Sequence, residues 1–197
     1  MKSILIFRLE QLIFLLIISL FFTKCKKPYD VEINKIQSVY KVNTPDYTME
    51  IDTLHGARIS ALKVHGVSFI PQEKYNYGST FWPAPQSRWH WPPPKMIHAG
   101  KYDTILKGDS LIFTGNTDST LNISLIKKII PRKNQITFLY LINNHNDTAF
   151  TMAPWQITQV NKGGKLYFEK GSRAPEAKHE KVMNVPFVLE DGLYSYQ

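Results

Sequence analysis

The sequence predicts an all-β fold, an antiparallel sandwich, and three observations predict it. Aromatic residues make up 13% of the 197 residues while helix-favouring Ala and Glu are sparse, a balance that suits pleated, half-buried surfaces. Short runs alternate apolar with polar residues at the period of two that a strand with one buried face requires. Between the runs lie clusters of turn formers, and no segment shows the periodicity of an amphipathic helix.

Taken in order, Tyr47–Thr53 (YTMEIDT) alternates, His55-Gly56 makes a turn, and Arg58–His65 (RISALKVH) alternates again before Gly66 and the short apolar VSFI. Past a Trp- and Pro-rich stretch come Tyr102–Leu106, Ser110–Thr114, Leu121–Ile130, Gln135–Ile142 and Ala149–Val160. Lys107-Gly108-Asp109, Gly115–Asp118, Pro131–Asn134 and Asn143–Asp147 supply the turns. Lys165–Phe168 is a further short strand, Glu169–Lys181 is a charged loop with Gly171 and Pro175, and Pro186–Leu189 starts one more strand. No internal repeat or low-complexity linker divides residues 26–197, a length that can bury a real core as one domain.

Residues 1–25 read as an export leader. Lys2 and Arg8 give a basic start, and Leu12–Phe22 is eleven residues long and apolar apart from Ser19. That is short of the roughly twenty residues a spanning helix needs. Extending it back to Ile4 would draw in Arg8 and Glu10, at about 2.5–3.5 kcal/mol for a charge near the bilayer centre. Cys25 is the only cysteine, so no intrachain disulfide is possible. Placed just past the apolar run and ahead of Lys26-Lys27-Pro28, it looks like the acylated cysteine of a bacterial lipoprotein, with Lys24 where a small residue normally stands. An uncleaved signal anchor and plain secretion are the alternatives. The expected location is the cell envelope, on a membrane, facing periplasm or cell surface.

The formal net charge of +8 raises nucleic acid as a partner. Residues 1–24 hold Lys2, Arg8 and Lys24 against Glu10, a net +2, which leaves +6 on the rest. Those cations come in short groups such as Lys127-Lys128 and Arg132-Lys133, without a long stripe or nucleic-acid motif, and are expected on solvated strand faces and loops. No nucleic-acid partner is expected.

Tyr77–Pro94, YGSTFWPAPQSRWHWPPP, sets three tryptophans and five prolines into eighteen residues. A core gains little from so many prolines, each of which removes a backbone donor, whereas a binding surface can use both rigid backbone and rings. A pyranose presents a face of C–H groups that packs on indole and hydroxyls that need fixed partners at the rim. Trp89 and Trp91 are the expected platforms, with Gln86, Arg88 and His90 at the edge. In an extended run the two rings share one face and Arg88 and His90 the other, so they converge only if the loop turns. Trp82, between Phe81 and Pro83, is the expected core member. Trp155 fits either role, and Arg58 is read as pointing to solvent.

Gly56-Ala57-Arg58-Ile59 with Ser60-Ala61-Leu62 and Gly66 resembles the opening of galactose-mutarotase-like domains. Gly78–Gln86, then Trp89 and Trp91-Pro92-Pro93, and later Ala153–Thr158 with Gly163-Gly164, resemble a family of uncharacterised bacterial exported proteins and lipoproteins of that superfamily. The resemblance spans residues 45–168. It implies a mutarotase-like supersandwich, incomplete at the C-terminus because the resembling domains run on further. Such domains serve aldose epimerases, other sugar-processing enzymes and modules that only bind glycans, so the fold alone does not choose among them.

An epimerase needs a histidine and a glutamate of differing pKa. Asn144-His145 has the letters of the epimerase Asn-His motif but lies in the polar turn NNHND, whereas alignment of the following strand puts the motif near Pro154 and Trp155. His90 and His98, eight apart without a carboxylate at ligand spacing, make no metal site, and no Gly-x-Ser-x-Gly elbow or phosphate-binding loop is present. Asn122-Ile-Ser124 and Asn146-Asp-Thr148 are glycosylation sequons in form only. The expectation is an exported, lipid-anchored carbohydrate-binding protein with no cofactor and no assigned catalytic residue. A sugar-modifying enzyme and a structural envelope protein remain as rivals.

Overall fold

Alternation places Tyr47, Met49 and Ile51 of Tyr47–Asp52 on one buried face and Thr48, Glu50 and Asp52 on the other. Ile123, Leu125 and Ile129 of Ile123–Pro131 repeat the pattern. Two such surfaces must cover each other to leave water, and here they do. A computed structural model describes residues 30–71, 77–161, 163, 165–169, 171 and 188–196. The leader with Cys25, Gly164, most of the expected 169–181 loop and the start of the expected strand at Pro186 lie outside the described residues.

The unit from Val31 onward carries fourteen described strands. The first sheet contains β1 (Glu32–Ile36), β2 (Val39–Asn43), β3 (Tyr47–Asp52), β4 (Arg58–Val64), β5 (Val67–Ser68), β6 (Ser79–Ala84) and β11 (Ala153–Thr158). Its order is β1-β2-β3-β4-β6-β11, with β5 paired to β4. The second contains β7 (Tyr102–Lys107), β8 (Ser110–Gly115), β9 (Ile123–Pro131) and β10 (Ile136–Asn144), in the order β10-β9-β8-β7. A third small sheet joins β12 (Leu166–Glu169), β14 (Leu193–Tyr196) and β13 (Val188–Glu190) in that order. Every pairing is antiparallel.

The first two sheets form the sandwich. Tyr40, Val42, Met49, Ile51, Ile59 and Phe81 from one meet Tyr102, Leu111, Phe113, Ile123, Leu125 and Ile129 from the other in a single core. Tyr40 meets Phe113 edge-on at 6.0 Å, and Phe81 lies against Tyr140 at 4.9 Å. Each fully buried side chain of this kind contributes about 1.5–3 kcal/mol. The third sheet stands apart from this core, with Val188, Leu189 and Leu193 exposed.

The described residues contain one short helix, α1 (Lys95–His98), which follows Pro92-Pro93-Pro94 and plugs Ile97 into the core. None of the described helices is long and apolar enough to cross a membrane. Four strands escape the sequence reading. β1 and β2 form a hairpin around Gln37 at φ 55°, and β14 pairs with both neighbours. β6 lies inside the Trp/Pro stretch that reads as loop. Pro83 is tolerated there because β4 pairs with β6 only at Ile59↔Ser79, which leaves the missing donor on an open edge.

Candidate functional site

Strand parity builds the aromatic surface. In the β6–β11 register Trp155 stands opposite Trp82 and Gln156 opposite Phe81. Phe81 faces the second sheet through Tyr140, so Trp82 and Trp155 are on the outer face of the first. After β6 the chain enters a 3-10 turn, Gln86–Arg88, and reverses at His90, whose φ is 56°. The peptide bonds before Pro85 and Pro92 are cis. This path folds Trp89 and Trp91 back to the same indole.

Trp82 becomes the hub of four rings. Trp89, Trp91, His98 and Trp155 stand edge-on to it at centroid separations of 6.0, 5.8, 5.7 and 5.4 Å. Its Nε1 donates to His98 Nδ1 at 2.8 Å, which fixes the ring in its plane. Trp91 is 61% exposed and Trp155 37%. The result is a tray: Trp82 is the floor, and Trp91 and Trp155 rise from it at 75° and 89°.

Two expectations reverse. Trp89 is only 6% exposed and donates its Nε1 proton to the Pro83 carbonyl at 2.7 Å, so it supports the tray from beneath and offers no open platform. Trp82 is half-buried on the outer face and takes no part in the core between the sheets. The extended run assumed from sequence is broken by the turn, which is why Trp89 and Trp91 diverge. Gln86, Arg88 and His90 are exposed, on the turn that joins the tray's rings.

Arg58 does not point to solvent. It is 4% exposed and donates Nη1 to the Tyr77 carbonyl at 2.8 Å and Nη2 to the His98 carbonyl at 3.3 Å. Its guanidinium also lies over the Tyr77 ring, 5.0 Å from the centroid. Tyr77 in turn donates to Asp52 Oδ2 at 3.1 Å, and His55 Nδ1 lies 2.7 Å from the same oxygen. An unbroken line of contacts runs from Asp52 to the Trp82 floor. Gly56 permits the approach of α1, since a Cβ there would come within 2.2 Å of the His98 carbonyl, and its φ is 79°.

His98 is neutral at physiological pH. Burial, with the charges of Arg58 and Lys127 adding to it, pulls its pKa down to about 4. Because Nδ1 accepts from Trp82, Nε2 carries the ring proton, and Arg58 Nη2 at 3.2 Å is a neighbour of that atom with no lone pair to receive it. This imidazole therefore holds Trp82 in place and is a poor proton donor or acceptor for a ligand near neutrality. Among the described residues no three metal-ligating side chains gather, at His90 and His98 or elsewhere. Asn144 and His145 tie the loop after β10: Asn144 Nδ2 donates to the Thr148 carbonyl at 2.9 Å, and His145 Nε2 lies 2.9 Å from Ser124 Oγ.

No family model, curated protein or solved structure matches the chain. The site is therefore read from its own chemistry.

Two features of that chemistry escape the sequence reading. A polar cleft of about 430 Å³, lined by Arg88, Thr120, Leu121, Asn146, Thr148, Ala149 and Phe150, shares Arg88 with the turn that joins the tray's rings. Loop residues so far apart in sequence carry no common signal. The other is Lys127, expected in solvent but 3% exposed inside the sandwich, donating to the Gly56 carbonyl at 2.5 Å and lying 5.2 Å from the Tyr102 ring centroid. Here a signal existed: Lys127 shares parity with Ile123, Leu125 and Ile129.

Proposed function

We propose that this protein is an exported, membrane-anchored carbohydrate-binding protein on a galactose-mutarotase-like β-sandwich. The tryptophan tray carries the reading. Three indoles, two of them exposed, meet at near right angles on a surface held by the His98 hydrogen bond and the buried Trp89 ring, with Arg58 behind His98. A pyranose can rest its C–H face on one ring while the others close its sides, and Gln86, Arg88 and His90 stand ready for its hydroxyls. Rigid support lowers the ordering cost on binding, which is where an exposed aromatic platform gains affinity. The antiparallel sandwich and the Gly56-Ala57 turn that leads into β4 are compatible with the mutarotase-like resemblance.

Trp91→Ala and Trp155→Ala should each weaken glycan binding by about 1–3 kcal/mol while the thermal midpoint stays near that of the parent. Titration of a glycan panel followed by tryptophan emission checks this. If no glycan perturbs the emission of the parent protein, the aromatic surface is a structural cover and the reading fails.

The anchor has its own test. If Cys25 is acylated, Cys25→Ala should move the protein from the membrane fraction to the soluble one, and radiolabelled fatty acid should mark the parent alone. Retention of the variant through alkaline washing would instead support an uncleaved signal anchor.

A further inference from the structure

We propose that the cleft beside the tray receives an anionic group, a carboxylate or sulfate ester, carried by the bound glycan, with Arg88 as its ionic contact; this rests on the carbohydrate reading above. The cleft begins where β6 ends and β11 starts. Arg88 leaves the 3-10 turn that follows β6, and Phe150 lies three residues before β11. The same turn runs from Arg88 directly into Trp89, whose ring meets Trp82, and this links the tray to a recess of about 430 Å³, room for a substituent or a second ring.

Among the described residues Arg88 is the only charged side chain in the lining. It is exposed, and its guanidinium rests on the Phe150 ring at 4.8 Å, an arrangement that orients the planar fork while leaving its N–H groups for a ligand. The ion pairs found among the described residues, Lys41–Glu50, Asp52–His55 and Asp109–Arg132, do not involve it.

The surroundings are poor in competing carboxylates. Asp118, on the loop beside Thr120 and Leu121, is 2% exposed, and its oxygens accept from the amides of Met96 at 3.1 Å, Thr120 at 2.9 Å and Leu121 at 3.4 Å. Its charge is spent on shaping the wall. Asp147 is exposed on the opposite loop but does not line the cleft. From Lys74 to Tyr102 the sequence has no acid and carries Lys74, Arg88, Lys95 and Lys101, and from Thr148 to Lys165 it has none either. These two segments build the tray and supply Arg88, Thr148, Ala149 and Phe150 to the cleft, and they present cations and neutral polar groups. A neutral sugar would use the rings equally well but would leave the Arg88 fork facing hydroxyls alone, whereas a carboxylate or sulfate matches it with two parallel, charge-assisted hydrogen bonds.

The test uses the full chain in detergent and oligosaccharides in matched pairs. Galacturonate and mannuronate oligomers are titrated against their carboxyl-reduced forms, a sulfated galactan oligomer against its desulfated form, and sulfate ion alone serves as a further arm. In at least one pair the acidic member should bind about tenfold more tightly than its neutral counterpart, with the gap narrowing as salt rises. Arg88→Gln should collapse that ratio towards one, and Arg88→Lys should keep part of it, with melts confirming that both variants fold. The carboxylate and sulfate arms identify which group is preferred. Competition by sulfate ion should lower the acidic member's affinity and spare the neutral one. Equal binding within every pair, or a ratio indifferent to Arg88→Gln, overturns the charge assignment and leaves carbohydrate binding standing. Absence of binding by every member overturns both.

Discussion

Replacing Trp89 by alanine is expected to lower the stability of the fold by about 3–5 kcal/mol, the usual cost of emptying a large buried aromatic site. The indole is 6% exposed, leans edge-on against Trp82 at 6.0 Å and satisfies the Pro83 carbonyl through its N–H. Alanine removes the ring and leaves that carbonyl without its donor, so two penalties fall together. Trp91→Ala removes a ring of the same size and should cost less than about 1 kcal/mol, because at 61% exposure water already covers most of it. Urea titrations of both variants decide the matter. Equal losses would mean that Trp91 is held by contacts beyond Trp82 and that the tray is part of the structural core.

The contrast between these two tryptophans shows where sequence reading works on this chain and where it stops. Alternation located β3, β4, β7, β8, β9, β10 and β11 because a strand with one buried face writes its burial into every second residue. It passed over β1, whose residues are mostly exposed and which exists by pairing with β2. It also passed over β6, where prolines and tryptophans hide a strand whose open edge excuses Pro83. The site was half legible for a related reason. Composition marked Tyr77–Pro94 as unusual, but the division of labour within it depends on a turn at His90 that local pattern does not encode. His98 and Arg58 were out of reach in a different way. The Gly56 turn and α1 bring them together from forty positions apart, and neither residue's neighbours announce the meeting.

Lys127 was within reach, and it supplies the second large effect. Lys127→Met is expected to stabilise the protein at pH 7 by on the order of 2 kcal/mol. Burial, aided by the positive charge of Arg58, pulls the amine from its ordinary 10.5 down to about 7. Each unit corresponds to about 1.4 kcal/mol, so housing the amine costs several kcal/mol at and below neutrality. Against this, methionine leaves the Gly56 carbonyl without the Lys127 donor, at about 1–3 kcal/mol, and ends the contact with the Tyr102 ring. The difference still favours methionine, whose length and shape fit the same space.

The pH dependence follows from where the proton sits. Between pH 10.5 and 7 the unfolded chain keeps the amine protonated while the fold sheds it, so stability falls as the pH drops through that window and levels off below it. His98, neutral in the fold down to about 4, adds a second fall of the same sign as the pH goes from 6.5 towards 4. Tyr102 and Tyr140 act oppositely at the alkaline end. Burial raises both above 10, so unfolded tyrosines ionise first and stability declines above that pH. The clean window is therefore pH 7 to 9.5, where the parent should gain stability with rising pH and Lys127→Met should stay flat. Denaturant midpoints across that window test both statements. A flat parent profile, or a variant that melts below the parent at pH 7, would mean that the amine keeps its proton inside the sandwich through a stabilising partner stronger than the Gly56 carbonyl and the Tyr102 ring.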